Sequence, residues 1–328
     1  MNFLSLIAKN IFNLPLLSFM LGIFFTLIRP GWKLPIHLNK LLTIYILFCI
    51  GLKGGGPLIE HSFSSAFLFF SILTALVIWG FLHPFLSFYL VRSFSRMDCP
   101  TAAAIAASFG SVSVMTFITA VSFLDQIQIN YEKLIVAVLA VMEIPAIISA
   151  IFIAKIFDKS SFQNSSSFFK ILYESLFNKA IVAIFVGMLA GSFFYWKNVA
   201  YIGDGVLIFF KPFLCLFLFD MGIRVGMQRS HFQSFPPSLH LFGVYMPLIG
   251  GIVGLIFSYV LGLDPGTGTL ISVLTASASY IAVPAAMRIA LPQANEAVYL
   301  PLSLGIAFPF NVIAGIPLYY YLARSFLN

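Results

Sequence analysis

Two stretches carry the residues that could do chemistry inside an otherwise oily chain. One reads Ala106-Ala107-Ser108-Phe109-Gly110-Ser111-Val112-Ser113-Val114-Met115-Thr116, the other Thr275-Ala276-Ser277-Ala278-Ser279-Tyr280-Ile281-Ala282-Val283-Pro284. Both put small and hydroxyl residues where a plain apolar helix would carry Leu, Ile or Phe. Gly110 weakens a helix there, and Pro284 removes a backbone donor and crowds the preceding turn. An interruption at each stretch exposes N–H groups at the start of a second half-helix, near Ser111 to Ser113 and near Tyr280 to Ala282. Those donors, with the partial positive charge of a helix start, attract an anion. The candidate substrate site is therefore Gly110, Ser111, Val112, Ser113, Ser279, Tyr280, Ile281 and Ala282. Carbonyls freed on the other side of each interruption can hold a sodium ion, helped by the hydroxyls of Ser108, Ser113, Thr116, Ser277 and Ser279. The competing reading is that Gly, Ala and Ser merely let helices pack closely.

Acids within apolar runs are the next signal, because a carboxylate in lipid is costly. Asp220 and Glu143 are candidate sodium ligands or charge partners. For Asp220 the alternative is an ion pair with Arg224, four residues on and on the same helix face. For Glu143 it is a packing hydrogen bond beside Pro145. Asn311, between Pro309 and Pro317, reads as polar glue in a kinked helix. Lys53-Gly54-Gly55-Gly56-Pro57 lacks phosphate-loop spacing and reads as a helix end and turn. His37, His61, His83, His231 and His240 are scattered without metal-ligand spacing. No nucleophile–base set or carboxylate pair is present, so an enzyme is not expected, nor is any metal beyond sodium or any other cofactor.

The elements that must position these residues come as a plan repeated in each half. Ile46 to Lys53 aligns with Phe217 to Arg224, pairing Gly51 with Gly222 and Cys49 with Asp220. Ala106 to Ser111 aligns with Thr275 to Tyr280, and Pro145 and Ala150 align with Pro309 and Ala314. Three blocks in one order point to a duplicated membrane unit, a common way to build a central transport site. Runs of roughly 20 apolar residues predict ten spans, five per half. The first five lie at 14–28, 38–54, 64–92, 100–124 and 131–157; the second five at 180–196, 205–227, 237–262, 267–291 and 296–326. The expected organisation is a first repeat at 1–157, a linker at 158–179 and a second repeat at 180–328, with the fourth and ninth spans broken.

Arg29, Lys33, Lys40, Arg92, Arg96, Lys155, Lys159, Lys170, Lys179, Arg229 and Arg288 fall in one set of alternate loops, against Lys9, Lys53, Lys133, Lys197 and Arg324 in the other. Placing the richer set in the cytoplasm puts both termini outside, on the periplasmic or extracellular side. Five spans per half then make the repeat inverted. Of 328 residues 60% are hydrophobic and 9% charged, far below the roughly 25% charge of a soluble domain, so the fold class is an all-α polytopic membrane protein in contact with lipid. The net charge of +7 sits in short loops and does not indicate nucleic acid. Cys49, Cys99 and Cys215 read as small apolar residues rather than a disulfide set. No small-residue cleavage site follows the N-terminal apolar run, so a removed signal peptide is not expected.

In these residues the chain resembles the sodium-dependent bicarbonate transporter family of the SbtA type. The resemblance spans nearly the whole chain. It is carried by Ile50-Gly51-Leu52-Lys53-Gly54-Gly55, Asp98, Phe109 to Ser113, Ile129-Asn130-Tyr131-Glu132, Glu143-Ile144-Pro145-Ala146 and Ser277 to Pro284. Arg288, Leu291-Pro292, Ala294-Asn295 and Tyr299 complete it. It implies a five-plus-five inverted repeat with core and gate domains, and a homotrimer. It also implies bicarbonate between the two broken helices with sodium as coupling ion, and control by a cytoplasmic PII-like protein. Two positions depart from the cyanobacterial pattern: Tyr280 stands where those carriers have an acid, and Met115 where they have Ser. The expected function is a secondary carrier of bicarbonate coupled to sodium by alternating access. The alternatives are a same-fold carrier of another anion, sodium- or proton-coupled, and a membrane sensor that does not transport.

Overall fold

The structure, a computed structural model, describes residues 3–32, 34–55, 63–95, 97–157, 179–229, 232 and 235–327; at 36, 63–66, 137, 140, 143, 179–181 and 200 it describes the backbone alone. The 158–179 linker thus lies outside the described residues, apart from the backbone of Lys179. Every regular element among the described residues is a helix. Among the described residues six stretches are long and apolar enough to cross a bilayer: His37–Gly55, Phe67–Ser95, Cys99–Gln126, Tyr201–Met227, Pro237–Val260 and Glu296–Phe326. A seventh is added if Phe3–Ile11 and Leu14–Ile28, bent by 65°, are taken as one. The chain is a multi-pass helical membrane protein. Of the other runs expected to span, Ile144–Phe157 and Val182–Trp196 are shorter apolar helices, and the run at 267–291 is divided between two helices.

The chain divides into two compact units, each drawing on both halves of the sequence. The first comprises Met1–Phe70, Glu132–Ala140 and Asn178–Arg229. It holds α1 (Phe3–Ile11), α2 (Leu14–Ile28), α3 (Ile36–Gly55), then α7 (Ile135–Val141), α9 (Lys179–Trp196), α10 (Ala200–Leu207) and α11 (Phe210–Met227). Helix α3 packs along α9, and α2 along α11. Glycine makes both approaches close enough for bare backbones to touch. A Cβ on Gly51 would stand 2.1 Å from the Ile184 carbonyl oxygen, and one on Gly187 2.2 Å from that of Phe48. In the other crossing a Cβ on Gly22 would stand 2.1 Å from the Phe219 oxygen, and one on Gly222 2.0 Å from that of Phe19. In all four cases a glycine meets the carbonyl three residues before its partner glycine, so the two crossings share one geometry. One turn on, Gly55 and Gly191 repeat it, whereas Gly226 meets Thr26. Such small-residue contacts replace the hydrophobic drive that lipid does not supply.

The second unit comprises Ser71–Tyr131, Val141–Phe177 and Ser230–Asn328. Its elements are the long α4 (Phe63–Ser95, entering the unit at Ser71), α5 (Cys99–Gly110), α6 (Val114–Gln126), α8 (Glu143–Phe157), α12 (Pro237–Val260), α13 (Pro265–Ala276) and α14 (Ala282–Ala290), with the last span beyond. Helices α5 and α13 start alike. Asp98 accepts from the Thr101 N–H at 3.0 Å and Asp264 from the Thr267 N–H at 2.9 Å, with a proline in each first turn. These are N-caps that satisfy a donor no helix bond can reach. From Pro100 to Gly110 every residue of α5 is buried, and the run Ala102–Ala107 keeps it thin enough to sit at the centre. The Tyr131 hydroxyl donates to Asp125 Oδ1 at 3.1 Å.

Candidate functional site

The helical path of α5 stops at Gly110. Ser111 and Ser113 are extended (φ −96°, ψ 165° and φ −105°, ψ 108°) before α6 begins at Val114. Gly110 is required there by space: a Cβ would stand 2.4 Å from Pro84 Cγ and 3.2 Å from the Ala146 Cβ. Ser113 caps the second half, its Oγ accepting from the Thr116 N–H at 3.3 Å and from the Thr116 hydroxyl at 2.9 Å. The other run behaves in the same way. Helix α13 ends at Ala276, Ser277 is extended (φ −79°, ψ 159°), and α14 starts at Ala282. Here the Ser279 Oγ accepts from the Val283 N–H at 3.3 Å.

The two interruptions are bonded to each other. The Ser113 N–H donates to Ser277 Oγ at 2.8 Å, and the Ser279 N–H donates to the Ser108 carbonyl at 2.7 Å. Ser277 Oγ also donates to the Leu274 carbonyl at 3.1 Å, and Ser108 Oγ to that of Ala104 at 3.0 Å. Around them α6 packs on α13 and α14 on α5, so each second half lies against the other run's first half. Ser108, Ser111, Ser113, Thr116, Ser277, Ser279 and Tyr280 are all buried. Ser111 Oγ has no hydrogen-bond partner among the described residues. A hydroxyl left so in a buried place is costly unless something polar meets it. The Tyr280 ring stands edge-on to Phe308 with centroids 5.2 Å apart, and Met115 is buried beneath the start of α6. Ile281 is half exposed, so of its groups the backbone is the one placed at the interruption.

Electrostatically the place has two characters. The starts of α6 and α14 present N–H groups and partial positive charge; the ends of α5 and α13 present carbonyls and partial negative charge. No Asp or Glu occurs between Ala106 and Thr116 or between Thr275 and Pro284. The polar groups of the two stretches are therefore N–H groups, hydroxyls and carbonyls without a carboxylate. Among the described residues no three His, Cys, Asp or Glu gather as they would around a transition metal.

The second unit thus brings Ser108, Gly110 to Ser113 and Thr116 together with Ser277 and Ser279 to Ala282. Asp220 lies in the first unit. Its Oδ2 accepts from Arg224 Nε at 2.7 Å and from Asn39 Nδ2 at 2.6 Å, and the residue is buried. The ion-pair alternative describes that contact. Glu143 opens α8, and its side chain is outside what is described. Sequence reasoning named Asn311 but missed its reach to the second interruption: its Nδ2 donates to the carbonyl of Ala276, the last residue of α13, at 3.0 Å. An amide between two prolines in an apolar run was the signal for it.

Residues 15–324 match the profile of the Na+-dependent bicarbonate transporter superfamily. No curated protein matches the chain.

Proposed function

The chain belongs to the Na+-dependent bicarbonate transporter superfamily, and we propose that it is a secondary carrier moving a small monovalent anion, bicarbonate first, together with sodium by alternating access. It is a transporter, not an enzyme. The observation that carries the mechanism is the reciprocal pair of bonds, Ser113 N–H to Ser277 Oγ and Ser279 N–H to Ser108 carbonyl. Those bonds set two helix starts and two helix ends around one buried place. Bicarbonate would lie against the N–H groups at Ser111 to Ser113 and Tyr280 to Ala282, with the Ser111 hydroxyl, unpartnered among the described residues, as a further donor or acceptor. Sodium would sit among the carbonyls beyond the opposite ends and the hydroxyls of Ser108, Ser113, Thr116, Ser277 and Ser279. Each ion screens the other's charge, which links their binding without a fixed carboxylate.

Ten spans in a five-plus-five inverted repeat, broken at the fourth and ninth, is the architecture this mechanism uses. It is supported by the matched caps at Asp98 and Asp264, the matched interruptions and the two glycine crossings of one geometry. Loop lysines and arginines support an orientation with both termini outside, and the bacterial inner membrane rests on the resemblance. The homotrimer and the PII-like regulator rest on the resemblance alone. Radiolabelled bicarbonate uptake into proteoliposomes, with and without an inward sodium gradient, tests the proposal. Equal uptake in both removes sodium coupling, and no uptake removes bicarbonate.

Tyr280 favours a second reading. A buried phenol stands at the interruption where cyanobacterial carriers place an acid, and a phenol binds sodium poorly while it can hydrogen-bond an anion. A same-fold carrier of another anion, sodium- or proton-coupled, would use it so. A thermal-shift screen of anions with and without sodium separates the two: stabilisation by a different anion and indifference to sodium selects the second.

A further inference from the structure

The last span does not run as one α-helix. After α15 (Glu296–Pro301) it passes through a π-helical turn at Leu302–Ala307, α16 (Phe308–Phe310), a second π-helical turn at Asn311–Gly315 and α17 (Ile316–Phe326). Such turns re-aim side chains and often accompany functional sites. The second one opens on Asn311, which is 1% exposed. Its amide nitrogen holds the Ala276 carbonyl, and a carbonyl at a helix end has no N–H of its own helix to accept from. Its Oδ1 lies 3.1 Å from the Tyr319 hydroxyl, which also lies 3.1 Å from the Pro247 carbonyl in α12. One phenolic proton serves those two acceptors.

Glycines make the space. A Cβ on Gly315 would stand 2.7 Å from Asn311 Oδ1, and one on Gly251 2.2 Å from the Tyr319 ring. A Cβ on Gly250 would stand 2.1 Å from the carbonyl oxygen of Thr275, just before Ala276. Leucine at 311 would suit an apolar interior without desolvating an amide. The carbonyl that Asn311 holds accounts for the amide.

We infer that Asn311 and Tyr319 are a positioning pair: they aim the carbonyl of Ala276 and so set how well the second interruption holds sodium. The inference rests on the sodium-coupled reading above. A carbonyl has two lone pairs, so with one given to Asn311 the other remains for a cation. Without the Tyr319 hydroxyl the amide keeps only its bond to Ala276, and without the amide the carbonyl loses the donor that aims it.

The test is the sodium dependence of bicarbonate uptake, at saturating bicarbonate, in proteoliposomes of the wild type, Tyr319→Phe and Asn311→Leu. The sodium half-saturation should rise about threefold to tenfold in Tyr319→Phe, the scale of one lost hydrogen bond, and further in Asn311→Leu, with maximal uptake of Tyr319→Phe nearly unchanged. The midpoint of sodium-induced thermal stabilisation of detergent-solubilised Tyr319→Phe should shift by the same factor, a readout that does not need transport. A pair that only packs would lower the melting temperature without sodium and leave both midpoints where they were; that result overturns the assignment. A wild-type protein indifferent to sodium in both assays would overturn the coupled reading itself, and this inference with it.

Discussion

Gly110→Ala is the sharpest probe of the first interruption, because a single methyl group meets a rigid neighbour. The new Cβ would stand 2.4 Å from Cγ and 2.8 Å from Cδ of Pro84, in the interior of α4, and 3.2 Å from the Ala146 Cβ. A proline ring cannot rotate away as a flexible side-chain end can, so α5 or α4 must shift. Overpacking of this kind costs about 1–3 kcal/mol. If that strain falls on the arrangement that holds the ions, uptake at sub-saturating bicarbonate drops by about 5- to 150-fold. Gly205→Ala is the matched control, since a Cβ there meets nothing within 4 Å. Both variants, reconstituted at equal protein per vesicle, would be compared for initial uptake rate and for melting temperature. Gly110→Leu, with a larger intrusion, should abolish uptake while the protein still inserts. Uptake by Gly110→Ala equal to that of the control would show that the contact with Pro84 does not shape the transporting state, and the argument from the interruption would fail.

Ser277→Ala removes the acceptor of the buried Ser113 N–H; an orphaned buried donor costs about 1–3 kcal/mol, and a half-saturation constant for sodium or bicarbonate unmoved in flux assays would contradict the bridging role. Ser113→Ala and Ser279→Ala each lose one cap and should raise the same constants by about twofold to tenfold; a fall in maximal rate alone would point elsewhere. Asp220→Asn should lower the melting temperature, because the Oδ2 held by Arg224 and Asn39 loses its charge, while the sodium half-saturation stays put; a large shift in that constant would return Asp220 to the sodium ligands. Gly51→Ala and Gly222→Ala should damage expression and stability to a similar degree, since each Cβ meets a backbone oxygen at 2.1 and 2.0 Å; tolerance of one and not the other would break the equivalence of the two crossings.

Serines and glycine in an apolar run conflict with what lipid favours, and the extended backbone at Ser111, Ser113 and Ser277 falls on such residues. The bond from Asp220 to Arg224 was legible from their four-residue spacing. Asn39 was not, because a separation of 181 positions from Asp220 leaves no local pattern. Gly51 and Gly222 were aligned as repeat equivalents, yet their partners Gly187 and Gly22 carried no sign of it: contact between bare backbones writes nothing into hydropathy. The π-helical turns at Leu302–Ala307 and Asn311–Gly315 also went unread, since they use the residues of an ordinary helix. Hence Asn311 was seen only as glue, while its reach to Ala276 depends on a turn that composition does not announce. Length was the remaining blind spot. Apolar runs near 20 residues were counted as equal spans, whereas capping and interruption leave α14 with 9 residues and α4 with 33.

The glycine crossings bear on what kind of deformation the first unit tolerates. Where main chain rests on main chain, each carbonyl sits in a notch cut by the absence of a side chain, and the positions beside Gly22, Gly51, Gly187 and Gly222 have no such notch. Sliding α2 along α11, or α3 along α9, by even one residue would drive a methyl or larger group into a peptide plane. These pairs resist axial creep like keyed shafts, so any flexing during a working cycle must come from tilting or from the connecting turns.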